Sequence, residues 1–123
     1  MGNGGEAMSH KTSQALTPLL QYLLGMRDNL QKQVLLHMGE VNVHRMVAFT
    51  DGYRTCQRVH GLLDDEYGLF QDWLREVKKE FPGEGWDAKY LRDCNGDHER
   101  AIRKFLDFVA EFVALRERER QGR

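Results

Sequence analysis

The stretch that decides the fold is residues 97–115, which read DHERAIRKFLDFVAEFVAL. Its apolar residues recur at intervals of three and four, the spacing that places side chains on one face of an α-helix. They are Ala101, Ile102, Phe105, Leu106, Phe108, Val109, Phe112 and Val113. Because they cover more than half of the helix circumference, the pattern predicts a central, buried C-terminal helix that Asp97 caps.

A narrower stripe of the same spacing precedes this helix along the chain. It consists of Phe70, Trp73, Leu74 and Val77. Asp64 or Asp65 is expected to cap the helix, because carboxylates are favoured at helix N-termini. Phe81-Pro82-Gly83 is expected to end it. A shorter helix should then open at Trp86 and finish before the Asn95-Gly96 turn.

Two more helices are expected in the first half of the chain. Thr17 is suited to cap one helix, Pro18 to occupy its first position and Gly25 to end it. Leu16, just before the cap, is also expected on the buried face of this helix. Asn42 is expected to cap another that runs to about His60. Its apolar positions are Met46, Phe49, Tyr53 and Cys56. Residues 26–41 between the two helices read as an ordered connector, with a helical turn as the alternative, that bends at Gly39.

These elements define an all-α fold, a compact bundle of about five helices with a buried C-terminal helix. Residues 13–117 are expected to form a single helical domain. Residues 1–12 are polar and rich in glycine, which predicts a disordered tail. Residues 118–123 alternate in charge and are expected to fray into a charged tail. Both cysteines, Cys56 and Cys94, fall in apolar patterns, so we expect them in the core without a disulfide.

Composition limits the classes of function. The 123 residues include 18 Lys and Arg against 19 Asp and Glu, a balance that argues against a general nucleic-acid binder. No apolar run approaches the roughly 18 residues that a membrane span needs, so no membrane association is expected. The N-terminus has no basic-then-apolar signal pattern. Together with the free cysteines, this favours a cytoplasmic protein.

Several short motifs resemble a family of small uncharacterised bacterial all-helical proteins. The family pattern contains an Arg turn, Tyr-Leu-Gly, Phe-Leu-x-Gly-Tyr, Phe-x-x-Trp, Trp-Ala and a Phe-rich last helix. The matching residues are Arg27, Gly39, Phe49, Gly52, Tyr53, Gly61, Phe70, Trp73, Trp86, Ala88, Phe105 and Phe108. The chain departs from the pattern at His37-Met38-Gly39, which stands in place of Tyr-Leu-Gly. The resemblance implies a helical fold and carries no activity.

The sequence gives little support for a metal-binding or cofactor site. His60 with Asp64 and Asp65 offers a mixed metal site, but a helix-end histidine beside capping carboxylates is more often structural. A second acidic group surrounds the last turn. Its members are Asp93, Asp97, His98 and Glu99, and they lack the spacing of an EF-hand. We therefore expect no metal and no cofactor.

Two other functions remain as alternatives. Cys56 lies four residues before His60, the arrangement a thiol enzyme needs if the cysteine is exposed. Residues 86–94 and 97–115 form a helix pair of the kind that binds DNA. Its second helix begins with Asp97-His98-Glu99, which is poorly suited to a phosphate backbone. A small DNA-binding regulator and, behind it, a metal- or thiol-dependent enzyme are the alternatives.

The favoured hypothesis is a non-catalytic module that binds another protein, of a regulatory or immunity type. Four amphipathic aromatic residues are the candidate contacts, because such residues often anchor interfaces. They are Trp86, Tyr90, Tyr67 and Tyr22. The loop 82–86 would be notable if Trp86 were exposed on it. A homodimer is also consistent with the broad stripe of the last helix, although burial inside one chain explains that breadth equally well.

Overall fold

Six α-helices make up the part of the chain that the computed structural model describes, residues 18–62, 64–80 and 84–122. In chain order they are α1 (Leu19–Arg27), α2 (Leu30–Met38), α3 (Val43–Val59), α4 (Asp65–Glu76), α5 (Trp86–Asp93) and α6 (His98–Gln121). These ranges contain no strand, so the all-α prediction is confirmed. Within them, no helix has the length and apolar character needed to cross a bilayer.

The C-terminal helix α6 is the centre of the structure, as its sequence pattern predicts. It contacts α1, α3, α4 and α5. Its buried positions are Ala101, Ile102, Phe105, Leu106, Val109 and Phe112. Each large apolar side chain buried in this way contributes about 1.5–3 kcal/mol to folding. The breadth of the stripe is therefore accounted for inside one chain, and it gives no support to a homodimer.

Three predicted helix caps are confirmed by hydrogen bonds. The Asn42 side chain accepts from the backbone N–H groups of His44 and Arg45. Asp64, and not Asp65, accepts from Tyr67 N at the start of α4. Asp97 accepts from the backbone of α6. Such caps satisfy N–H groups that have no partner inside the helix, so the start of each helix is encoded locally.

The connector expected over residues 26–41 is instead largely helical. Helix α2 buries Leu30, Val34 and Met38, which lie four residues apart and hence on one side. Gly39 ends it in a left-handed conformation with φ of 81°, so the predicted bend is confirmed. The described residues thus form six helices where about five are predicted, and α2 is the additional one. Three apolar residues among polar neighbours give too weak a pattern to identify a helix this short.

Predicted ends of helices were less accurate than predicted starts. Gly25 does not end α1, which continues to Arg27. Helix α4 ends at Glu76, before the predicted stop at residues 81–83, which lie outside the described residues. The Asn95-Gly96 turn is confirmed, since both residues have positive φ values. Leu16 and Thr17, like the predicted tail at 1–12, lie outside the described residues.

Helix α6 continues to Gln121, through most of the segment 118–123 that is expected to fray. Its last turns are held by ion pairs. Arg116 donates from Nε and Nη2 to the two carboxylate oxygens of Glu66, at 3.1 and 3.0 Å. This arrangement lowers the pKa of Glu66, with the Arg116 hydrogen bond as the main cause. Arg120 pairs with Glu117 at 3.1 Å.

The two cysteines differ in environment. Cys94 is buried, as predicted, whereas Cys56 is exposed, and both are free thiols. Cys56 lies toward the end of α3, where Val59 is also exposed. The apolar pattern of α3 therefore continues along the helix past the point where neighbouring helices cover it.

Candidate functional site

Trp86, the first candidate for partner contact, belongs to the core. It is 6% exposed and stacks on Phe105 of α6, with ring centroids 4.0 Å apart and planes inclined by 5°. Tyr90 lies against it at 5.5 Å between centroids. Trp86 is therefore not an exposed tryptophan on the loop 82–86. Trp86 is the first residue of α5, and its side chain is buried because it stacks on the Phe105 ring of α6.

Tyr90 and Tyr67 are also buried, so neither is available to a partner in this structure. The Tyr90 hydroxyl donates to the carbonyl oxygen of Glu80 at 3.3 Å, and burial raises the pKa of that phenol. The Arg54 guanidinium lies over the Tyr67 ring at 4.8 Å from its centroid. Burial likewise raises the pKa of Tyr67, more than Arg54 lowers it. Both side chains have structural contacts.

Tyr22 is the one candidate of the four that keeps part of its side chain in solvent, and it lies in a cluster of rings. We call Tyr22, His37, Phe49 and Tyr53 the aromatic face. The Tyr22 ring centroid is 5.4 Å from those of His37 and Tyr53 and 5.8 Å from that of Phe49. Its hydroxyl lies 3.1 Å from Nε2 of His37. Rings at such distances attract one another by about 0.5–1.5 kcal/mol per pair.

Three helices supply the aromatic face, which explains why sequence reasoning found only one of its members. Tyr22 comes from α1 and His37 from the last turn of α2. Phe49 and Tyr53, four residues apart on α3, read as ordinary core positions in the sequence. In the structure all three tyrosine and phenylalanine side chains are half-buried, and His37 is exposed. The i,i+4 aromatic pair on α3 was the signal that could have indicated this surface.

Beside the aromatic face lies a shallow hollow of about 360 Å³. It is lined by Gln21, Tyr22, Gly25, Met26, Gln33 and His37. Gly25 lies inside α1, where glycine costs up to about 1 kcal/mol relative to alanine. No heavy atom lies within 4 Å of a Cβ built on Gly25, so no neighbour inside the chain requires a glycine. The missing side chain leaves the hollow open.

Two leucines on α2 are also exposed. Leu36 is 71% exposed and Leu35 is 49% exposed. Side chains one and two positions apart on a helix do not share a face, so neither leucine belongs to the surface that His37 shares with Tyr22. Single exposed leucines on a protein surface need no explanation.

Several of the residues considered for metal binding have other partners. Asp93 pairs with Lys89 at 2.7 Å and Lys104 at 3.0 Å. The hydrogen bonds from these two lysines lower its pKa to about 2. Nδ1 of His98 accepts from Val43 N at 3.1 Å, so this ring holds the start of α3. Across the described ranges, no three His, Cys, Asp or Glu side chains are grouped to hold a metal ion.

The helix pair considered for DNA binding is built into the core. Helix α6 contacts four other helices, and Ala101 and Ile102 in its first turns are fully buried. Glu99, on the polar side of the same turn, accepts from Gln31 of α2 at 2.8 Å. A recognition helix must present its first turns to base edges in the major groove. Here those turns contact the rest of the protein.

In comparisons with protein-family models, curated proteins and solved structures, the chain matched no family, no curated protein and no solved fold. The resemblance to small bacterial helical proteins therefore stays a prediction. The surface itself has to support any functional hypothesis.

Proposed function

We propose that this chain is a non-catalytic module that binds another protein through the aromatic face, as a regulatory or immunity-type partner. The observation that carries the proposal is the cluster of partly exposed rings contributed by three helices. Tyrosine and other aromatic side chains bury a large area at small entropic cost, and they dominate the binding energy of many interfaces. Of the four candidate residues, Tyr22 forms part of this face, whereas Trp86, Tyr90 and Tyr67 are buried elsewhere in the core.

The hollow suggests what the partner presents. Its lining combines the rings of Tyr22 and His37 and the Met26 side chain with the amides of Gln21 and Gln33. An apolar side chain of the partner fits such a site, with neighbouring peptide groups hydrogen-bonded to the glutamines. We extend the proposal to a cytoplasmic location, since both cysteines are free thiols, as is usual in a reducing compartment.

The DNA-binding and enzymatic alternatives have weaker support. The helix pair needed for DNA is buried against its neighbours, and the charges of the chain balance. Cys56 is exposed, as a reactive thiol must be, but an exposed cysteine by itself defines no reaction. The aromatic face favours a protein ligand over both.

The test uses a substitution that stabilises the fold while filling the hollow. Gly25→Gln should raise the melting temperature, because glycine at an exposed position inside a helix is unfavourable. It should also abolish capture of the partner, because the new side chain occupies the hollow. Affinity capture from the native host, with mass spectrometry, compares this variant with the wild type.

Gly68→Gln is the matched control. Gly68 also lies inside a helix with no heavy atom within 4 Å of a built Cβ, and it belongs to α4, which contributes no residue to the aromatic face or the hollow. This variant should gain similar stability and keep the partner. Capture of the same partner by wild type and Gly25→Gln at equal yield would contradict the proposed site. Salt-sensitive retention of duplex DNA by the wild type would favour the DNA-binding alternative.

A further inference from the structure

A second surface, separate from the aromatic face, lies between α3 and α4. It is an open groove of about 470 Å³, which we call the α3–α4 groove. Two side-chain hydrogen bonds join the helices that form its walls. Gln57 donates to Asp64 at 2.9 Å near the connecting loop, and Arg54 donates to Gln71 at 3.0 Å further along. These bonds tie the two walls of the groove together.

Its two walls carry opposite charges that do not pair with each other. Arg58 on the α3 side has one polar contact in the described part of the chain, with the Thr55 hydroxyl at 3.4 Å. Asp65 on the α4 side has no side-chain hydrogen bond or ion pair with any described residue, whereas neighbouring Asp64 binds three donors. One unpaired charge of each sign thus lines the same groove.

Apolar side chains lie between these charges. Leu62 is 36% exposed and Leu69 is 42% exposed, and both line the groove. Gly68 lies beside Leu69 on α4, and no heavy atom comes within 4 Å of a Cβ built there. A helix that carries glycine at such a position allows another backbone or side chain to come close. The groove combines an apolar centre with a basic wall and an acidic wall.

This arrangement is self-complementary. In a two-fold symmetric dimer the same patch meets itself, so a positive group at one position must face a negative group at another. We propose that a second copy of this chain docks on the α3–α4 groove. Arg58 of each protomer then pairs with Asp65 of its partner, twice by symmetry, and Leu62 and Leu69 of both protomers are covered.

Charge reversal tests the pairing. In Arg58→Glu, two acidic walls face each other, and in Asp65→Lys two basic walls do. Each single variant should weaken self-association by about tenfold or more, because two repulsive contacts replace two attractive ones. An equimolar mixture of the two variants should recover the dimer, since every contact is again between opposite charges. The double variant should recover it as well. Sedimentation velocity over a concentration series measures all five samples.

Leu69→Ser with Val77→Ser as its control tests the apolar centre. Val77 is 64% exposed but does not line the groove, so only Leu69→Ser should shift the protein toward monomer. Circular dichroism checks that every variant is folded, since Arg58 and Asp65 both lie near helix ends. A monomeric wild type throughout the series, or folded single variants that neither the mixture nor the double variant rescues, would overturn the proposal.

The experiments distinguish a failure of the proposed dimer from a failure of the proposed function. The groove variants leave Gly25 and the hollow unchanged, so they should still capture the partner of the aromatic face. Gly25→Gln, in turn, should leave the sedimentation behaviour as it is in the wild type. A partner that binds the groove in place of the second copy would be lost with Arg58→Glu and retained with Gly25→Gln, and that result would contradict the homodimer.

Discussion

Two aromatic clusters of this protein contain similar residue types, but one is buried and the other is partly exposed to solvent. Around Trp86, the rings of Tyr90 and Phe105 pack in a fully covered interior. Around Tyr22, the rings of Phe49 and His37 remain partly in solvent. The difference lies in the neighbours, because α6 covers the first cluster and no described helix covers the second. An aromatic residue therefore becomes core or surface according to what packs over it.

The largest expected effect is on the covered cluster. Trp86→Ala removes the stacking partner of Phe105 and leaves a cavity, which should lower the free energy of unfolding by about 3–5 kcal/mol. The melting temperature should fall by roughly 15 °C or more. Thermal unfolding followed by circular dichroism measures it, and Trp86→Phe should lose much less. A Trp86→Ala protein with unchanged melting temperature would contradict the stacking in the core.

A smaller effect is expected on the aromatic face. Phe49→Ala removes a half-buried ring, so the free energy of unfolding should fall by about 1–2 kcal/mol. Binding of the captured partner, measured by calorimetry below the melting transition, should fall at the same time. This result would separate the clusters, since loss of Trp86 acts through folding alone. Full binding by a folded Phe49→Ala protein would show that the aromatic face is not the contact.

The hydroxyl of Tyr22 tests the finest detail of that face. Tyr22→Phe keeps the ring and removes the hydrogen bond to His37, which should cost about 0.5 kcal/mol of stability because the pair is exposed. The ring contacts with Phe49 and Tyr53 should persist. Chemical denaturation measures the change, with His37→Phe as a second variant that loses the same bond. A cost of several kcal/mol would indicate that the hydroxyl is buried.

The smallest effect concerns charges at the rim of the covered cluster. Lys89 and Lys104 lower the pKa of Asp93 from 3.8 to about 2, and the Lys104 ammonium lies 4.7 Å from the Tyr90 ring centroid. Because the folded-state pKa is depressed, this pair stabilises the fold above pH 3.8 and loses its contribution as the pH falls toward 2. Thermal melts across this range should show a loss that Asp93→Asn lacks. If the melting temperatures of the wild type and Asp93→Asn fell equally as the pH is lowered, the stabilising role of the Asp93 carboxylate would be contradicted.

The sequence predicted well what depends on neighbours within a few residues. Asn42, Asp64 and Asp97 cap their helices through bonds to N–H groups two or three residues away. It predicted poorly what depends on remote packing. Helix α2 is not evident from the sequence, because its three apolar residues are buried only when the helix packs against α1 and α3. The spacing of Cys56 predicts a core position because it continues the apolar pattern of α3. The neighbouring helices do not cover that end of α3, so Cys56 is exposed.

The candidate site shows the same division more sharply. Four aromatic residues were candidates for partner contact, and three of them lie in the core. Nothing near Trp86 in the sequence distinguishes it from a surface tryptophan. Its burial follows from Phe105, a residue on another helix. His37, Phe49 and Tyr53 were missed for the converse reason, since the hollow and the ring cluster exist only once three helices meet.

By itself, the sequence determined that this is an all-α chain built around residues 97–115, in which three helices start at the capping residues Asn42, Asp64 and Asp97. It could do so because helix periodicity and caps are local properties of the chain. Only the tertiary structure decided which aromatic rings are covered, which leucines stay exposed, and where unpaired charges line a groove. Burial and charge pairing depend on side chains that are distant in sequence, and these are brought together only when the helices pack around α6.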